Sequence, residues 1–270
     1  MDQEFGGDVV GFYHRYRRGY PAAVFDTLAA EFGLRPTDVA VDLGCGTGQL
    51  TCPLADRVGA VLGIDPEPDM LARARRAAAE RGIGNIGWLL GADADMPALQ
   101  AVLGARRVGC VTIGQALHWM DHGRLLPELA TLLRPGGGVA VLTNGTPLWL
   151  QPSPWSHALR ECLERLLDTE LTRTCGTDEP TQRAYREAMA GAGLAVRDTR
   201  LTYRAELSLE EIVGGVYSAI PAGRLPSPAR RPGFSSRIER ALRPHAPFVE
   251  EVEVRMLLGT TSSGTSSGTV

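Results

Sequence analysis

The sequence predicts an open α/β fold, a mostly parallel sheet with helices on both faces. Two observations carry that prediction. Short β-branched runs alternate with helical patterns through the first two-thirds of the chain, and a glycine-rich turn joins the first such run to the helix after it. Strands separated by helices pair in parallel through right-handed crossovers.

Taken in order, Pro21 to Phe32 reads as a helix, with proline in its first turn and Gly33 just past its end. Val39 to Leu43 is a strand that runs into the glycine loop and then a helix to about Arg57. Ala60 to Ile64 is the next strand, and Pro68 to Arg81 an Ala/Arg-rich helix closed by Gly82. Ile86 to Leu90 and Val108 to Ile113 are the third and fourth strands, and Gly123 to Leu133 a helix. Arg134 to Gly138 reads as a turn before a fifth strand, Val139 to Leu142. Beyond that the rhythm breaks. Residues 150 to 192 give two helices joined by a polar loop, with Pro180 near the start of the second. Leu194 to Tyr203 and Val249 to Leu257 are strand-like and are assigned to the far edge of the same sheet. Between them lie helices over Ser208 to Ser218, with a Ser208/Glu211 capping box, and Phe234 to Leu242. One domain is expected over residues 1–258, with a core at about 34–145 and a lid plus last strands at about 146–258. The Gly/Ser/Thr-rich residues 259–270 are expected to be a disordered tail.

Composition narrows the class. With 44% hydrophobic and 22% charged residues, the chain matches an ordinary globular protein. A net charge of −3 supplies no overall basic field for nucleic acid. Five cysteines without a CxxC pair suggest neither a disulfide framework nor a zinc site, so no metal is expected. The N-terminus lacks the apolar core of a signal peptide, and no apolar run reaches the 18 or so residues of a membrane span. The expectation is a cytoplasmic protein without membrane contact, a monomer or homodimer.

Val41-Asp-Leu-Gly-Cys-Gly-Thr-Gly-Gln-Leu50 is the most informative stretch. Gly44, Gly46 and Gly48 fall between a strand and a helix start, at the carboxyl edge where open α/β sheets bind ligands. Asp65 ends the second strand, placed to accept both hydroxyls of a ribose. A dinucleotide site uses GxGxxG; here the spacing is GxGxG, and Asp42 precedes the loop. That carboxylate would repel a pyrophosphate but tolerate an ammonium or sulfonium.

VDLGCGTGQL resembles the first motif of the class I S-adenosylmethionine-dependent methyltransferases, and VLGIDPEPDML their second-strand motif. Val111 to Asp121 (VTIGQALHWMD) looks like a "QAxHW" fourth-strand segment of a small-molecule subgroup, and LLRPGGGVAVL the fifth-strand motif. FYHRYRRGYP near the N-terminus is similar to the subgroup's Tyr- and Arg-bearing leading segment, departing from it at Arg18, where proline is usual. The resemblance implies a Rossmann-like, doubly wound, seven-stranded sheet with an antiparallel last strand and a small helical lid. It implies S-adenosyl-L-methionine as cofactor. Gly44 and Gly46 would approach its methionine portion, Asp42 its ammonium, and Asp65 its ribose. Pro66 and Met70 would flank the adenine, and Ala92 or Asp93 would meet the adenine edge. Tyr16, Arg17 and Gln115 complete the expected cofactor contacts.

Methyl transfer from a sulfonium is an in-line displacement, so the protein mainly aligns, dries the site and removes the acceptor's proton. His118, beside Trp119 just past the fourth strand, is the candidate base, or else a wall of the pocket. Trp149 and Trp155 stand where a substrate lid would begin. The expected activity is methylation of a small-molecule acceptor, a bacterial secondary metabolite on the strength of the Ala/Arg/Gly-rich composition. Two alternatives stay open: a nucleic-acid methyltransferase, which the charge and the absence of an NPPY tetrapeptide oppose, and a cofactor-binding member without catalysis.

Overall fold

The computed structural model describes residues 5–262. Helices α1 (Asp8–Tyr16) and α2 (Ala22–Phe32) precede β1 (Val39–Leu43), the one-turn α3 (Thr51–Leu54) and β2 (Ala60–Asp65). There follow α4 (Pro68–Glu80), β3 (Ile86–Leu90), α5 (Met96–Leu103), β4 (Val108–Gly114), α6 (His122–Leu132) and β5 (Leu133–Asn144). The last third holds α7 (Pro154–Leu167), α8 (Glu179–Gly191), β6 (Ala195–Leu207), α9 (Leu209–Tyr217), α10 (Arg231–Leu242) and β7 (Phe248–Thr260).

All seven strands join one sheet in the order β3-β2-β1-β4-β5-β7-β6. The first five are parallel, as helix crossovers require. Strand β7 runs antiparallel to both β5 and β6, so the expected fold class holds. The order reverses between β1 and β4, which opens a crevice at their carboxyl ends.

Each face of the sheet carries its own apolar layer. Leu125, Leu129 and Leu132 of α6 and Tyr185 and Met189 of α8 pack on one side against Val41, Val111 and Val139. Val24, Phe25, Leu28 and Phe32 of α2 pack on the other against Ala40, Cys110 and Ala140. A third cluster joins α7, α9 and α10 through Trp155, Leu159, Ile212, Val216, Ile238 and Phe248. Among the described residues, these three helices pack on one another through that cluster. Contrary to expectation, α8 belongs to the core, because Tyr185 and Met189 bury against the sheet.

Several elements differ from the sequence reading. Residues 134–138 are strand rather than turn. Arg134 donates to both oxygens of Asp38, at 2.9 and 2.6 Å, and to the carbonyls of Phe32 and Gly33, which pins this stretch beside β1. The glycines are there for room: a Cβ on Gly138 would stand 2.1 Å from the Phe32 ring. Helix α3 stops at Leu54, and the chain reaches Arg57 through tight turns. Helices α1 and α5 were not foreseen. Finally, β7 continues to Thr260, with Gly259 paired to both Val139 and Val196, so the expected tail begins too early. The rest of that tail, 263–270, lies outside the described residues.

The Ser208/Glu211 capping box forms as expected, Ser208 accepting from the Glu211 N–H while Glu211 accepts from the Ser208 N–H. No helix among the described residues is long and apolar enough to cross a membrane.

Candidate functional site

The crevice is built by the turn after β1. Gly44, Gly46 and Gly48 all have left-handed backbones, at φ 73°, 53° and 90°. The N–H groups of Gly44 and Cys45 both donate to the Ile64 carbonyl of β2, which folds the turn back across the sheet edge. Close approach makes glycine obligatory at position 44, where a Cβ would stand 2.5 Å from that of Ala116.

Asp65 closes the turn from the other side. Its carboxylate accepts the Gly46 N–H at 2.8 Å and the Glu67 N–H at 2.9 Å, and burial raises its pKa above the usual carboxylate range. Beneath the loop, Asp42 is 1% exposed and lies between two hydroxyls, Thr51 at 2.5 Å and Thr112 at 2.8 Å. Desolvation pushes its pKa up to about 6, against the lowering effect of those hydroxyls.

The fourth-strand segment forms the facing wall. Gln115 follows β4 in a left-handed conformation, φ 55°, its N–H held by the Leu142 carbonyl and its side-chain amide donating to the Asn144 carbonyl at 3.4 Å. A non-glycine residue held there is strained and clusters with functional sites elsewhere. His118 sits in a short 3-10 turn, its ring 5.0 Å from that of Trp119. Burial, aided by the charge of Arg173, lowers the His118 pKa to about 4, so the imidazole is neutral at neutral pH. Arg173 lies 3.9 Å over the Trp119 ring.

Helix α1 covers the loop. The Tyr13 ring comes within 3.5 Å of where a Gly46 Cβ would be, and its phenol, desolvated there, has a raised pKa. Phe5 meets Tyr13 and Trp119 edge-on, at 6.3 and 6.1 Å, and the Arg17 guanidinium stands 5.2 Å from the Tyr13 ring.

The structure therefore brings Asp42, Gly44, Gly46, Asp65, Gln115, His118 and Arg17 to one crevice. Tyr16 it turns elsewhere: its hydroxyl donates to Glu210 at 2.9 Å and its ring lies against Gly214 of α9. The tyrosine on the glycine loop is Tyr13, which sequence reasoning passed over; helix formation over 8–16 sets the two rings about a turn apart and sends them to different partners. Tyr20 was also missed, its hydroxyl standing 2.8 Å from where a Gly114 Cβ would be. Met70 is buried in the first turn of α4, and Pro66 is exposed. Asp93 is drawn toward α6, accepting from the Asp121 N–H and from Arg124, both at 3.3 Å. Asp95 accepts the Ala92 N–H at 2.8 Å and so caps the turn. Trp155 lies in the first turn of α7, buried in the cluster that joins α7, α9 and α10, with its indole N–H donating to the Val249 carbonyl.

An open α/β sheet with a glycine turn and a facing carboxylate at its switch point defines a nucleoside-binding protein. Comparison with known proteins narrows the class. A sequence profile described as "Methyltransferase domain" matches residues 40–137. A trans-aconitate 2-methyltransferase of Mycobacterium tuberculosis is 32% identical over 206 residues, 72% of this chain and 71% of the relative. One from Deinococcus radiodurans is 36% identical over 193 residues, 67% of each chain. The chain belongs to the class I S-adenosylmethionine-dependent methyltransferase family. It spans about half the length of the first curated relatives it matches, among them an uncharacterised methyltransferase of Mycobacterium bovis, 38% identical over 51% of each chain. The YcgJ protein of Bacillus subtilis shares the fold, with a TM-score of 0.57 at 15% identity over 90% of this chain and 100% of that one.

Proposed function

We propose that the protein transfers a methyl group from S-adenosyl-L-methionine to a small-molecule acceptor bearing a carboxylate. The observation that carries the cofactor reading is the bond between the Gly46 N–H and Asp65, which brings the glycine turn and the β2 carboxylate together at the switch point. The residues present fit the group. Glycine at 44, 46 and 48 leaves the turn without side chains at those positions, and Thr47 Oγ1, Gln49 Nε2 and Glu67 Oε2 are buried without hydrogen-bond partners among the described residues. A positively charged sulfonium and ammonium also suit a crevice floored by Asp42 and Asp65.

When bound, the cofactor supplies an activated methyl group on sulfur. Asp65 would hold the ribose hydroxyls, the backbone of Gly44 and Gly46 would lie along the methionine portion, and Asp42 would offset its ammonium from below. Tyr13 and Phe5 exclude water from above. A carboxylate acceptor is already a nucleophile, so no strong base is required of His118, whose neutral ring can accept a hydrogen bond and wall the site. Arg17 and Arg173, stacked on Tyr13 and Trp119, carry positive charge beside the crevice, which favours an anionic acceptor. The relatives named for trans-aconitate support the same class. A bacterial biosynthetic role for the product is part of this reading.

Calorimetric titration with S-adenosylhomocysteine and with NAD tests the cofactor, and a panel of mono-, di- and tricarboxylates assayed by S-adenosylhomocysteine release tests the acceptor. Tighter binding of NAD would overturn the first reading. Turnover of phenols or amines but of no carboxylate would overturn the second.

A further inference from the structure

Glu250 sits at the start of β7 with its side chain 1% exposed, outside every motif of the family resemblance. One of its oxygens accepts from the Gln151 amide at 2.6 Å; the other faces the guanidinium of Arg18 in an ion pair. Gln151, itself buried, donates its backbone N–H to Ser156 in the first turn of α7. Arg18 belongs to the five residues that join α1 to α2, and its neighbours are tied down as well. Asn144, at the end of β5, donates to the Gly19 carbonyl at 3.1 Å, and the partly buried Tyr20 reaches beside Gly114.

We infer that Arg18 is a positioning residue: its pairing with buried Glu250 pins the segment carrying Tyr13, Arg17 and Tyr20 over the cofactor crevice and joins that cover to the lid helix α7.

A buried carboxylate is expensive to keep ionised without a partner, so Glu250 holds Arg18 in one place rather than in a range of places. Greasy residues of equal volume would fill the space without fixing register along the chain. The Arg17 backbone is extended at the end of α1, and Arg18 is the next residue. A slip there would carry Arg17 off the Tyr13 ring and loosen the cover from its C-terminal side. The N-terminal side of α1 is held separately, by Asp8 to Arg231 at 2.7 Å and by the Gly7 N–H to Asp69 at 2.9 Å. Tyr16, bonded to Glu210 at 2.9 Å, holds the last turn of α1 as well, so loss of the Arg18 pair would loosen residues 17–20 without releasing the helix.

This inference rests on the cofactor reading above, and its test separates the two. Arg18→Met, Arg18→Lys and Glu250→Gln are compared with the unaltered chain by calorimetric titration with S-adenosylhomocysteine and by hydrogen exchange of residues 8–20. Arg18→Met is expected to weaken the nucleoside about tenfold and to speed exchange within 8–20 alone, whereas Arg18→Lys stays within about threefold. Glu250→Gln keeps the Gln151 contact and leaves Arg18 free to rehydrate, so it folds and shows the same local loosening. Wild-type affinity in Arg18→Met, or faster exchange spread over the whole chain, overturns the inference. Should the unaltered chain bind no nucleoside at all, the cofactor reading fails, and exchange at 8–20 still decides whether Arg18 pins the cover.

Discussion

Asp42 is held between two threonine hydroxyls with almost no water, and the sign of its titration follows. Its folded pKa of about 6 lies above the ordinary carboxylate value, so between the two the native chain keeps a proton the unfolded chain has released. Its contribution to stability is full at acid pH and declines as pH rises through 6. Binding an ammonium above it favours the ionised form, so affinity for S-adenosylhomocysteine should fall about tenfold per pH unit well below 6. Calorimetry in buffers of different ionisation enthalpy should show proton release, and Asp42→Asn should abolish the slope; constant affinity from pH 5 to 7 would remove Asp42 from this role. His118 runs the other way. With a folded pKa near 4 it resists protonation, so the stability it contributes is present above the unfolded value near 6.5 and lost as pH falls toward 4. The kcat profile is expected to show no limb at pH 6–7, and His118→Asn should alter kcat while leaving nucleoside affinity within about twofold. A limb there, abolished by the substitution, would restore it as the base. Asp65 and the glycines were legible because backbone geometry dictates them. Tyr13 was not, since a run of aromatic and basic residues says nothing of which ring faces the core until the helix is recognised.

Among the elements, β5 shows how tertiary contacts overrule a local signal. Arg-Pro-Gly-Gly-Gly is a turn by every short-range rule, yet the Asp38 carboxylate and two carbonyls take up Arg134 and draw the stretch into the sheet. The pair is only 13% and 8% exposed, and Asp38 has its pKa lowered through the Arg134 bonds despite its burial. Arg134→Ala leaves that carboxylate with the Arg35 backbone N–H but without its guanidinium, and should cost about 3–5 kcal/mol. Urea unfolding measures this; a loss under 1 kcal/mol would show the clamp to be incidental. Helix α5 was unreadable for a related reason, because its start is set by Asp95 capping the preceding turn rather than by a long apolar stripe. Helices α2, α4 and α9 were readable since proline, glycine or a capping box marks their ends.

For the molecule as a whole, the crevice spans β1, β2 and β4, so a ligand there ties together strands from both halves of the parallel region. Occupancy at 100 times the dissociation constant should add about 2.7 kcal/mol to unfolding. Thermal denaturation should therefore shift upward with S-adenosylhomocysteine. Asp65→Ala is expected to weaken affinity at least about tenfold, which removes roughly 1.4 kcal/mol of that gain. An unshifted transition in the unaltered chain would contradict a nucleoside site.

Strand β7 is the seventh in sequence but lies between β5 and β6, not at a rim. A chain emerging from the ribosome can thus assemble the glycine turn and its facing walls by residue 144, while β5 waits with one side of its ladder bare. Only when residues 248–260 arrive can β7 pair antiparallel with both β5 and β6 and cover that side of the ladder. Synthesis interrupted between those points would leave a ligand-competent half with an open, apolar flank, the kind of nascent species that chaperones shield.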